Sequence, residues 1–67
     1  MTIQLNGKKV NLPGEISSIR ELLAFYKLEN QILVVELNKE IAYKEQYSTQ
    51  LLSDGDMVEI VHFVGGG

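Results

Sequence analysis

Cysteine is absent from this 67-residue chain, and histidine and proline occur once each, as His62 and Pro13. Without cysteine the chain has no disulfide, no thiolate nucleophile, no persulfide and no thiolate zinc site of its own. A lone histidine with no Ser–Asp constellation beside it argues against a self-contained hydrolase. No residue is therefore assigned a catalytic or metal-binding role, and His62 reads as a strand residue. Clustered Lys and Arg are also missing: six cations stand against nine carboxylates, a net charge of −3. That balance gives no electrostatic reason to bind nucleic acid and suits a basic protein partner instead. No apolar run approaches the ~20 residues of a membrane span, so no membrane association is expected. The opening residues Met1 to Asn6 show no charged segment leading into an apolar one, so no secretion signal is read there and the cytoplasm is the expected compartment.

What is present is the material of one small domain. Hydrophobic residues make up 45% of the chain, an ordinary globular share. With neither disulfide nor metal, packing alone must hold it together. Thr2 to Leu5 alternates as a short strand, Asn6-Gly7 suits the positive φ of a two-residue hairpin turn, and Lys8 to Leu12 runs back. Pro13-Gly14 ends that second strand. Ser18-Ile19-Arg20-Glu21 fits a capping box, and Ile19, Leu22, Leu23 and Tyr26 then mark one helix face. The helix is expected over about Ile19 to Lys27, with Leu28 closing the core and Asn30 available for a left-handed end.

Leu33 to Leu37 reads as a strand with Leu33, Val35 and Leu37 inward. Asn38-Lys39-Glu40 is a tight turn, and Ile41-Ala42 a short edge strand. Tyr43 and Tyr47 are expected to anchor the polar stretch that follows, and Leu51 and Leu52 to return to the core. Ser53-Asp54-Gly55-Asp56 is a turn. Its carboxylates, with Glu59, are either a solvated turn or a steering surface. The last strand is expected from Met57 to Val64, with Val58 and Ile60 on one face and Glu59, Val61 and Phe63 on the other. The expected inward set is Ile3, Leu5, Val10, Leu12, Leu33, Val35, Leu37, Val58 and Ile60.

A hairpin, one helix across a mixed sheet, and a last strand parallel to the first make an α+β roll, the β-grasp. The domain is expected over residues 1–64, with Gly65, Gly66 and Gly67 as a flexible tail. Glycine reaches backbone angles closed to other residues, so such a tail threads a narrow channel and presents the Gly67 carboxylate inside another protein's site. Ordering three glycines costs on the order of 3–6 kcal/mol, to be offset by contacts elsewhere. Val61, Phe63 and Val64 are the candidates for that docking, Phe63 being equally placed to cap the core edge.

Ser18-Ile19-Arg20-Glu21-Leu22-Leu23, Val35-Glu36-Leu37-Asn38-Lys39-Glu40-Ile41 and Leu52-Ser53-Asp54-Gly55-Asp56-Met57-Val58-Glu59-Ile60, closed by Gly65-Gly66-Gly67, resemble the ThiS family of ubiquitin-like sulfur carriers in thiamine biosynthesis. The resemblance covers the whole chain. It implies a carrier that is consumed and regenerated, not an enzyme, and that binds no cofactor itself. A ThiF-type adenylating enzyme would spend ATP to convert the Gly67 carboxylate to an acyl-adenylate. A persulfide, drawn from a cysteine desulfurase or another donor, would convert this to a thiocarboxylate. Thiazole synthase would take the sulfur into the thiazole ring of thiamine. Two alternatives stay open at this point: the small subunit of molybdopterin synthase, with the same thiocarboxylate chemistry, and a ubiquitin-like covalent modifier, whose Gly67 carboxylate would be activated in the same way but joined to a lysine. A non-covalent β-grasp binding module, in which the glycines do nothing, is a third.

Overall fold

The computed structural model describes residues 1–63. The elements in order are β1 (Thr2–Leu5), β2 (Lys8–Asn11), α1 (Ile19–Phe25), β3 (Leu33–Leu37), β4 (Glu40–Ala42), a short 3₁₀ turn (Lys44–Gln46) and β5 (Met57–His62). They form one five-stranded sheet in the order β2-β1-β5-β3-β4. β1 runs parallel to β5 at the centre, and every other pairing is antiparallel. This is the expected β-grasp. β5 ends at His62, short of the expected Val64, which lies outside the described residues together with Gly65, Gly66 and Gly67.

Both hairpin turns use positive φ at both central positions. Asn6 and Gly7 sit at 50° and 83°, Asn38 and Lys39 at 52° and 70°. These angles match the twist of the flanking strands, and Asn tolerates them because its short side chain bonds locally. Each asparagine here also reaches across to β5. Asn6 Oδ1 accepts from the Ile60 amide at 2.8 Å, and Asn38 Oδ1 accepts from the Met57 amide at 2.9 Å. β1 pairs with β5 only as far as Leu5 opposite Val58, so the Asn6 side chain supplies the acceptor that strand no longer provides.

The capping box forms as read. Ser18 Oγ accepts from the Glu21 amide at 3.1 Å, and Glu21 Oε1 accepts from the amides of Ser17 and Ser18 at 2.8 and 3.1 Å. The Ser17 amide and hydroxyl, then the Ser18 contacts, hold the Glu21 carboxyl below its ordinary range. A lowered folded value means that this contribution is complete above the ordinary carboxylate range and is lost as pH falls through the folded value. Ser18→Ala is expected to cost about 1 kcal/mol, because the amide it caps loses its acceptor. Urea unfolding at neutral pH checks this, and a midpoint equal to the parent's would contradict it.

The helix stops two residues earlier than expected. Lys27, not Asn30, takes the left-handed position at φ 60°. The Leu28 amide donates to the Leu23 carbonyl at 2.8 Å and the Lys27 amide to the Ala24 carbonyl at 3.0 Å, a Schellman ending. Leu28 then folds back against the core. The early stop leaves Tyr26 at the helix end, exposed and edge-on to Phe25, not in the core.

The buried core is Ile3, Leu12, Ile16, Ile19, Leu22, Leu23, Val35, Ala42, Leu52, Val58 and Ile60. Leu5, Val10, Leu33, Leu37 and Tyr47 pack against it half-buried. Ile16 and Ala42 belong to the core although the alternation did not single them out. Tyr43 and Leu51 are each 61% exposed and anchor nothing inside. Ala42 is the inward residue of β4, so Tyr43 one step on falls outward. Leu51 spends its backbone on a bridge to Ser18 while Leu52 takes the core position.

Candidate functional site

β5 leads toward the chain's end, so the site is built from its last turn of register. Past Ile60 the strand is held only by β3: Leu33 pairs with His62, and the Phe63 amide donates to the Ile32 carbonyl at 3.1 Å. Val58 and Ile60 point into the core, which turns Val61 and Phe63 to the sheet face opposite the helix. Val61 is 51% and Phe63 58% exposed, so Phe63 does not cap the core edge. β5 and the residue after it thus bring two exposed apolar side chains to the stretch that precedes the glycines. Val64, Gly65, Gly66 and Gly67, the other residues expected to act here, lie outside the described residues.

The apolar surface is wider than Val61 and Phe63. Val34 pairs directly with Val61, Ile41 is 53% exposed on β4, and Ile32 and Tyr43 flank them in the open. A shallow hollow of about 300 Å³ lined by Val34, Ile41, Tyr43 and Tyr47 lies along the β4 side. Grouped exposed apolar side chains of this kind are the raw material of a contact site. The signal was available in the sequence as alternation, since Val34 and Ile41 have the opposite parity to Val35 and Ala42. Placing them beside Val61 needed the strand order as well.

The acidic turn proves structural. Asp54 Oδ1 accepts from the Thr2 amide at 2.7 Å, and Asp56 Oδ2 accepts from the Ser53 amide at 2.7 Å. Asp56 Oδ1 also accepts from Asn38 Nδ2 at 3.1 Å, tying the turn to the β3–β4 hairpin. These carboxylates hold the sheet's end together. His62 is exposed and lines a groove with Leu5, Asn6, Tyr26, Leu28 and Ile60. Among the described residues no group of three His, Cys, Asp or Glu is placed to hold a metal, and no helix is long and apolar enough to cross a membrane.

A mixed five-stranded sheet with one capped helix on one face defines a ubiquitin-like β-grasp protein. The crystal structure of a thiamine biosynthesis protein (ThiS) from Geobacter metallireducens superposes with a TM-score of 0.83 at 36% identity, all of both chains being covered. The ThiS family model matches residues 3–67, and the chain belongs to the ThiS family. The sulfur carrier protein ThiS of Bacillus subtilis is 55% identical over 65 residues, 97% of this chain and 98% of that one. A thiazole synthase from Paramagnetospirillum magneticum is 34% identical over 67 residues, all of this chain but only 20% of that protein.

Proposed function

We propose that this chain carries sulfur for the thiazole ring of thiamine, as a protein co-substrate and not a catalyst, with the carboxylate of Gly67 as the attachment point. The observation that carries the reading is the agreement with a sulfur carrier along nearly the whole chain, from the first strand into the glycine segment. A carboxylate is a poor electrophile. A ThiF-type enzyme joins it to ATP, releasing pyrophosphate and leaving an acyl-adenylate. The terminal sulfur of a persulfide from a cysteine desulfurase or similar donor displaces AMP. A thiol then attacks the outer sulfur of the acyl-disulfide, forming a disulfide and freeing the thiocarboxylate. All of this suits the cytoplasm, where ATP and thiols are plentiful.

Thiazole synthase is the partner that consumes the sulfur. Thiazole synthases that contain a segment matching this whole chain support the pairing, because a carrier tethered to its acceptor meets it at high effective concentration. Gly65 and Gly66 keep the approach to Gly67 slim, while Val61, Phe63 and Val64 supply the docking contacts that offset the cost of ordering it. Val61→Asp places a charge in the middle of that contact without touching the core. Sulfur loading is expected to fall about tenfold or more, in line with loss of a central apolar contact. Loading within twofold of the parent's would remove Val61 from the docking surface.

The test of function is growth. A bacterium lacking its own thiamine sulfur carrier should grow without added thiamine when it expresses this chain. A bacterium lacking the small subunit of molybdopterin synthase should not recover molybdenum-cofactor activity. The reverse pattern would overturn the assignment to thiazole formation.

A further inference from the structure

On the exposed face of the sheet, one cross-strand pair is out of keeping with its surroundings. Glu36 of β3 stands in register with Glu59 of β5. Like charges directly opposite each other destabilise a sheet. The flanking positions on β3, β4 and β5 carry no cation, and the exposed Lys9 of β2 lies two strands from β5, beyond Gln4. Ile41 lies beside Glu36 on β4, and Val34–Val61 is the next outward pair along the strands. On the other side come Asn38 and Met57: the Asn38 amide donates to the Met57 carbonyl, and the Met57 amide donates to Asn38 Oδ1. Two carboxylates therefore sit at one end of an apolar strip that runs through Val34 and Val61 to Phe63 at the root of the glycines.

We propose that the Glu36–Glu59 pair is the polar half of the docking face, receiving a cationic side chain, an arginine by preference, from thiazole synthase. This rests on the sulfur-carrier reading given above. The geometry specifies the partner's complement. Its cation must lie about 13 Å from the pocket that takes Phe63, since Phe63 is four steps of extended chain beyond Glu59. A guanidinium fork satisfies two carboxylates at once, where an ammonium acts as a point charge. The pair also disfavours a second copy of this chain as occupant, because face-to-face packing about a two-fold axis would gather four carboxylates. With the apolar strip supplying contact and the glutamates supplying direction, the carrier docks in one orientation, with Gly67 toward the acceptor site.

Stability and binding should then move in opposite directions. The double substitution Glu36→Gln, Glu59→Gln removes the repulsion while keeping shape, so the chain should melt at the parent's temperature or above. Its affinity for purified thiazole synthase, measured by titration calorimetry in low salt, should fall about tenfold. The parent's affinity should weaken with added salt and the variant's should change little. Glu36→Arg, Glu59→Arg should bind at least tenfold more weakly again. Equal affinity and equal salt dependence for parent and Gln variant would overturn the proposal while leaving the carrier reading intact. A parent chain that shows no binding to thiazole synthase at all would instead contradict the partner assignment on which it rests.

Discussion

A chain shortened by Gly66 and Gly67 is expected to accept no sulfur and to melt at the same temperature as the full chain. Every buried residue of the described structure lies between Ile3 and Ile60, so stability is set before the glycines begin. Function is not. Removing two residues moves the terminal carboxylate back by about 7 Å of extended chain. Misplacing a reacting group by even 1 Å can cost about a hundredfold in rate, so no adenylate is expected on Gly65. The same reasoning applies to an added residue: a chain extended past Gly67 presents its carboxylate too far forward. Thermal unfolding and mass analysis after incubation with ATP, the adenylating enzyme and a persulfide donor read the two properties separately. Sulfur on the shortened chain at more than a few per cent of the parent's yield would refute a site at Gly67.

Leu22→Ala is expected to unfold much of the protein. Leu22 is fully buried at the centre of the helix, packed where α1 meets the sheet. Leucine-to-alanine changes at such sites cost about 2–5 kcal/mol through lost transfer energy and the cavity left behind. Alanine is the better helix former, so the loss comes from packing alone. A domain of this length holds only roughly 3–10 kcal/mol of stability, at ~0.05–0.15 kcal/mol per residue. With no cysteine to form a disulfide, the variant should show a large unfolded fraction at 37 °C and a urea midpoint far below the parent's. Leu51→Ala is the matched control, since Leu51 is 61% exposed and its truncation should stay within about 0.5 kcal/mol. A Leu22→Ala midpoint close to that of Leu51→Ala would mean that the helix does not carry the core.

Much of this fold is legible in local sequence because its signals are local. Asn6-Gly7 specifies a turn type, Ser18 and Glu21 specify a helix start, and the alternation of Val58 with Glu59 assigns two faces to one strand. The helix end was not legible, since a left-handed Lys27 has no compositional mark and Asn30 offered the better residue type. Tyr43 and Leu51 misled because a large apolar residue near a core looks like part of it. Only register shows that Ala42 and Leu52 take those places. The side chains of Asn6 and Asn38 serve β5 from 54 and 19 residues away, a contact visible only after folding.

The candidate site divides in the same way. Val61 and Phe63 could be assigned outward from parity within β5. Their neighbours Val34 and Ile41, and the opposition of Glu36 to Glu59, depend on β5 lying next to β3 and β3 next to β4. Each of those residues is unremarkable in its own strand. Together they make a face that is apolar toward the end of β5 and acidic farther from it, which suits the docking proposed for a sulfur carrier.

The most direct test of that claim is the intact mass of the untagged chain, isolated from cells that are making thiamine. Sulfur carriage predicts a fraction heavier by one sulfur-for-oxygen exchange, with the added mass confined to the peptide ending at Gly67. An unmodified mass throughout, persisting after incubation with ATP, an adenylating enzyme and a persulfide donor, would contradict it.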